Sequence, residues 1–241
     1  MPWFHAVAER DHAIQNPTSP DKIRRLGEHL RLDAQSNVLD VACGRGGPAV
    51  ILAENFGCRI VTVERAAEFA GVARERVLAA GVEPLVEVVE SDARDFPLSA
   101  AAFDAALCLG GSFIWDGLYG TLAALTPAVR PGGYVVVGEP FRSHWPLPRG
   151  VDDQGFTSVL RTTRKFEAAD LSVVSVIASS QDDWDAYESL HWRSLEEWLA
   201  EHDDDPDADE IRRRHREARD AYLGSQRELL AWAIVIGWKV G

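Results

Sequence analysis

Residues Val38-Leu39-Asp40-Val41-Ala42 read as a short buried strand that enters a glycine-dense turn, Cys43-Gly44-Arg45-Gly46-Gly47-Pro48. Ala49-Val50-Ile51-Leu52-Ala53 then reads as helix, and Ile60-Val61-Thr62-Val63-Glu64 as a second strand closed by a carboxylate. Few folds accept strand, glycine turn, helix, strand and acid in that order. Glycine lets a backbone approach a ligand with no Cβ in the way. The helix behind the turn offers free N–H groups and the positive end of its dipole. Glu64 stands twenty residues after Gly44, the spacing at which an acid reaches a ribose diol. The order predicts the nucleoside-binding half of a doubly wound sheet.

Gly44-Arg45-Gly46-Gly47-Pro48-Ala49 also fits the G-x-G-x-x-A pattern of dinucleotide sites. Asp40 weighs against a dinucleotide, because a carboxylate four residues before the first glycine would face the incoming diphosphate. It suits a ligand that carries an ammonium and a sulfonium. The segment resembles motif I of class I S-adenosylmethionine-dependent methyltransferases, D/E-x-G-x-G-x-G, with Asp40, Gly44 and Gly46 matching and Ala42 in place of the first glycine. Val86 to Ala93 reads as a third strand ending in Asp92 and Ala93. Phe103 to Gly111 resembles the fourth strand of that family, and Leu125 to Gly133 its helix-to-turn signature before a fifth strand, Tyr134 to Gly138. The likeness covers about the first 140 residues and is greatest to small-molecule enzymes of the ubiquinone/menaquinone-methylase-like group. It implies an α/β, Rossmann-like doubly wound sheet of seven strands with an antiparallel last strand, plus a helical insertion. It also implies S-adenosylmethionine as cofactor, held by Asp40, Ala42, Gly44, Gly46, Glu64, Arg65, Asp92, Ala93 and Leu109. A nicotinamide-dependent oxidoreductase and a cofactor-binding protein without turnover remain the alternatives.

The remaining chain bounds the partners. A formal net charge of −13 argues against a nucleic-acid substrate, which calls for a basic footprint. Arg212, Arg213, Arg214 and Arg216 follow a run of acids and read as a solvated helix face with i,i+4 pairs. No run approaches the ~20 apolar residues of a membrane span, and no apolar leader is evident at the start. A cytoplasmic enzyme with a small-molecule substrate is the expectation. Cys43, Cys58 and Cys108 lack C-x-x-C spacing, so neither a disulfide framework nor a metal site is expected.

The expected organisation is one domain over residues 1–241, with an N-terminal arm at 1–19 and a helical cap at 179–229. Ser19 and Pro20 form an N-cap and first position for a helix with Ile23, Leu26 and Leu30 on one face. The family's N-terminal arms fold over the cofactor, which makes His12 and Gln15 candidates for a lid. Glu139 to Pro148 reads as a rigid loop, Phe156 to Ala169 as helix, Leu171 to Ala178 as a sixth strand and Leu230 to Val240 as the last. Trp184, Tyr187, His191, Leu195 and Trp198 recur at helical steps, as do Ile211, His215, Ala218 and Tyr222, with Asp205 and Pro206 opening the second helix. A connection this long rarely lacks structure of its own. Two amphipathic helices capping the active site are expected.

Methyl transfer from a sulfonium is an in-line displacement that needs positioning and exclusion of water more than a fixed catalytic group. If the acceptor must lose a proton, Glu139 and His144 are the candidate bases, with loop fixing and plain exposure as the other readings. His12, Trp115, Phe141, Trp145, Trp184, Tyr187 and Trp192 are the candidate substrate-binding residues, each of which could instead be packing.

Overall fold

The computed structural model describes residues 4–144, 146–147 and 155–241. Its sheet has seven strands: β1 (Asn37–Val41), β2 (Arg59–Glu64), β3 (Val86–Glu90), β4 (Phe103–Leu109), β5 (Val129–Arg142), β6 (Leu171–Ala178) and β7 (Leu230–Lys239). Their order is β3-β2-β1-β4-β5-β7-β6. The first five pair in parallel, and β7 lies antiparallel between β5 and β6. Parallel strands covered by helices on both faces read as continuous apolar runs. Accordingly Val38, Leu39, Asp40 and Val41 of β1 are all buried, and Asp40 is the polar exception. The strand order reverses between β1 and β4, which opens a crevice beyond their carboxyl ends, where such sheets take ligands.

Helices α1 (Phe4–Ala8), α2 (Pro20–His29), α3 (Gly47–Phe56), α4 (Ala67–Ala80) and α5 (Leu118–Leu125) precede β5, and α6 (Val159–Glu167) follows it. Ser19 caps α2 from Lys22 N, with Pro20 at its first turn, as its sequence requires. Ser158 caps α6, and Asp170 takes a left-handed φ of 58° after it, so this helix is shorter than the expected 156–169.

Glu139 to Arg142 are strand, not loop, because β7 pairs with β5 through Arg142↔Leu230. Pro140 is accommodated by parity. Gly138 O accepts from Gly110 N and Arg142 N donates to Thr157 O, so alternate residues here face away from β7. The proline's missing donor falls on that side, beyond the last β4 pairing at Leu109↔Gly138.

Between β6 and β7 run α7 (Gln181–Glu201), α8 (Ala208–Ala221), a π-helical turn (Tyr222–Gln226) and α9 (Arg227–Leu229). Ser180 and Asp183 form a reciprocal capping box for α7. The second helix opens at Ala208 rather than Pro206, because Asp205 Oδ1 accepts from Asp207 N at 2.8 Å and closes a turn first. Ala8, Leu195, Leu199, Ala208 and Ile211 pack α1, α7 and α8 together. Trp184 stacks on Tyr222, ring centroids 6.3 Å apart. Among the described residues no helix is long and apolar enough to cross a membrane.

Candidate functional site

Where β1 ends, the backbone turns through three left-handed residues, Ala42 at φ 56°, Gly44 at φ 54° and Gly46 at φ 77°. Alanine at such an angle costs roughly 1–2 kcal/mol, and it holds the turn tight over the crevice. At the end of β2, Glu64 Oε2 accepts from Gly44 N at 3.0 Å and Oε1 from Ala66 N at 2.8 Å. The acid thus braces the glycine turn while its remaining lone pairs stay available to a ligand. Asp92 follows β3 and is gripped by Arg94 through Nε, Nη2 and the backbone amide. Those bonds hold its carboxyl well below the usual range.

Asp40 is the electrostatic centre. It is 2 % exposed and its Oδ2 has no partner. Burial, with the nearby Glu64 charge, pushes its pKa up to about 7. A buried carboxylate in that state favours a cationic ligand, and S-adenosylmethionine offers two cationic centres. The residues therefore fit that cofactor on their own chemistry. Cys43 and Cys108 stand close by as neutral thiols, both pushed up by burial and the latter to about 12.

These groups wall a cavity of about 650 Å³. Asp40, Ala42, Gly44, Glu64, Arg65, Asp92, Ala93 and Leu109 all line it. Gly46 does not: its φ is a left-handed 77° and a Cβ there would meet Ala73 Cβ at 2.9 Å, so its bareness serves the turn and the packing of α3 against α4. Neither candidate base reaches the wall. Glu139 is half-buried beside Ser112 with Oε1 unpartnered, desolvation raises its pKa against the lowering Ser112 hydrogen bond, and His144 is exposed beyond β5.

The far wall comes from the N-terminal arm. Gln15 Oε1 accepts from Arg45 N at 2.8 Å, and Asn16 Nδ2 donates to Leu109 O at 3.0 Å. A Cβ on Gly44 would lie 2.0 Å from Gln15 Oε1, and one on Gly110 2.3 Å from Asn16 Oδ1. Two glycines therefore admit the arm as closely as they admit a ligand. His5 and Glu9 also reach the cavity from the arm, and Phe113 and Ile114 reach it from the turn after β4. Of the two lid candidates only Gln15 lines the cavity. His12 is 1 % exposed and binds the carbonyl of Tyr187 through Nε2 at 2.9 Å.

The aromatic candidates for substrate contact lie elsewhere. Trp184, Tyr187 and Trp192 belong to the packing around Tyr222, because helical spacing turns them toward that seam. Trp115 packs beneath β4 and β5, and Phe141 pairs with Ala231 inside the sheet. Trp145 lies outside the described residues. The helices between β6 and β7 supply no wall among the described residues; α7 packs on α1 and thereby backs the arm. Asn16 and Glu9 had no local signature, since only the folded arm brings them to the cavity.

The comparisons agree with this geometry. A family model described as a methyltransferase domain matches residues 38–133. An S-adenosylmethionine-dependent methyltransferase from Thiobacillus denitrificans, crystallised with S-adenosylhomocysteine, is 30% identical with a TM-score of 0.92, over 98% of both chains. Another from Geobacter sulfurreducens, in the same complex, is 28% identical with a TM-score of 0.92, again over 98% of both. The uncharacterised Escherichia coli protein YjhP is 26% identical over 241 residues, 97% of each chain. Coverage of this extent takes in the arm and the helices between β6 and β7, so both belong to the shared fold. The chain is a member of the class I S-adenosylmethionine-dependent methyltransferases, and S-adenosylmethionine is its cofactor.

Proposed function

We propose that this cytoplasmic enzyme moves the methyl group of S-adenosylmethionine onto a small molecule held under the N-terminal arm, and releases S-adenosylhomocysteine. One observation carries the reading: the cofactor wall and the arm wall enclose one cavity of about 650 Å³, inside the range of roughly 300–1,000 Å³ typical of small-ligand sites. A net charge of −13 supports a substrate other than nucleic acid. Residues 1–241 act as one unit, in which arm 1–19 closes the cavity and helices 179–229 brace the arm.

The bound cofactor supplies an activated methyl group for in-line displacement. Asp40 balances cationic charge, Glu64 accepts from the ribose hydroxyls while it holds Gly44, and Asp92 with Ala93 meets the adenine. Gln15 and Asn16 cover the turn and keep water out. Holding an acceptor in line can lower the barrier by ~7–11 kcal/mol, and no base is assigned.

The test is transfer of isotope-labelled methyl from S-adenosylmethionine into a size-fractionated cell extract. Label in the small-molecule fraction, lost in the Asp40→Asn protein, is the expected result. Label confined to macromolecules would overturn the substrate class.

A further inference from the structure

Outside the motif residues, one cluster has the chemistry of a ligand set. Glu9 and His12 sit three residues apart on the arm, and His191 comes from α7. One donor atom from each lies within 4.8 Å of the others. His191 Nε2 is 2.9 Å from Glu9 Oε1, and His12 Nδ1 is 3.5 Å from Glu9 Oε2. Ligands bound at ~2.0–2.1 Å around a tetrahedral ion stand roughly 3.3–3.5 Å apart, so little movement is required.

The polar bookkeeping points the same way. His12 Nδ1 and Glu9 Oε2 are buried with no hydrogen-bond partner. Their unused lone pairs belong to one cluster, and unmatched buried polar atoms call for an explanation. His12 is also oriented from behind, and His191 has a carboxylate on its far side at ion-pair distance. His12 Nε2 donates to Tyr187 O at 2.9 Å, and His191 Nδ1 lies 3.8 Å from Glu188 Oε2. Metal-bound histidines are fixed as His12 is, with a hydrogen-bonded carbonyl or carboxylate on the nitrogen that does not ligate. Tyr187 Oη donates to Glu9 Oε1 at 3.1 Å and holds the carboxylate in place.

We propose that Glu9, His12 and His191 form a binding site for one divalent transition-metal ion of the zinc, cobalt and nickel class, which ties the N-terminal arm to α7 at the edge of the cofactor cavity. Two imidazoles and one carboxylate suit that class and are poorly matched to magnesium or calcium, which prefer all-oxygen sets. Three protein ligands leave a fourth position open, the pattern of sites that bind a further ligand. Glu9 itself lines the cavity, so that position borders the space proposed for the acceptor.

The test uses the full chain, stripped with a chelator and then titrated with Co²⁺ and with Zn²⁺. One ion per chain is expected, with the visible absorption of tetrahedral Co²⁺ and no thiolate charge-transfer band. Glu9→Gln and His191→Asn should each weaken Co²⁺ binding by at least about 100-fold, with cooperative melting as the control for folding. Should either variant fail to fold, nitrogen NMR of the wild-type imidazoles decides: Zn²⁺ must shift two of the histidines, His12 and His191. No binding, retained affinity in both folded variants, a thiolate band, or shifts only at other histidines would each overturn the site. S-adenosylhomocysteine calorimetry on the same wild-type samples reports the cofactor site separately, so failure of one reading is not failure of the other.

Discussion

Replacing Asp40 by asparagine should stabilise the cofactor-free protein and weaken cofactor binding at once. The carboxylate is held at a pKa of about 7 against an ordinary 3.8, because it is buried and faces Glu64. Its acidity is depressed in the folded state, so the folded chain keeps a proton that the unfolded chain has released. Stability therefore falls as pH rises from about 4 to about 7 and is flat above. From those two pKa values the penalty is about 4 kcal/mol near pH 8 and about 2 kcal/mol near pH 5. The neutral amide carries no such charge. The variant should gain about 2–3 kcal/mol over the wild type between pH 5 and pH 8, measured by urea denaturation without ligand. Calorimetry with S-adenosylmethionine should show the opposite sign, a loss of affinity, since the cation-facing charge is gone. A variant whose stability relative to wild type does not change between the two pH values would refute the electrostatic argument. So would one that binds the cofactor as tightly as before.

Three other changes probe the wall and the cap. Glu64→Ala removes the ribose acceptor and the brace on Gly44 N, and should cost about 1.5–3 kcal/mol of S-adenosylhomocysteine affinity by calorimetry, the range for hydrogen bonds to a charged group. Unchanged affinity in the folded variant removes Glu64 from the site. Gly44→Val places a branched side chain on Gln15 at a left-handed φ of 54°, so binding should be lost; normal binding would show that the turn does not cradle the cofactor. Trp184→Ala should lower stability by about 3–5 kcal/mol through a cavity beside Tyr222 while affinity for S-adenosylhomocysteine stays within about threefold. A stable variant with impaired binding would return that side chain to the site.

The parts of the fold that the sequence announces are those built on local period. Strand runs with acids at their ends, the Ser19-Pro20 cap and the aromatic repeat of α7 need only a dozen neighbours to declare themselves. The arm is different. Gln15 and Asn16 matter because Gly44 and Gly110 lack side chains in space, a relation with no sequence spacing to reveal it. Glu9 and His191 lie 182 residues apart and meet only through the packing of α1 on α7. Gly46 shows the converse relation. It fits the motif by position, yet its missing Cβ serves Ala73 on the neighbouring helix. Pro140 signals a loop by composition, and the long antiparallel partner in β7 overrides it.

That partner has a consequence for the order of synthesis. β7 lies between β5 and β6 in the sheet but is translated after both. From Arg142 to Leu230 the ribosome adds 88 residues, which at roughly 5–20 residues per second takes about 4–18 s. Throughout that interval β5 shows one unpaired edge, and from Ala178 onward β6 has no strand to join, the state in which exposed edges recruit other chains. The nascent chain is then most exposed to misassociation at the moment its cofactor half is already complete. Nascent chains stalled before Leu230 should aggregate or be held by chaperones. A stalled chain that is protease-resistant through β5 and β6 would show that the edge is protected by other means.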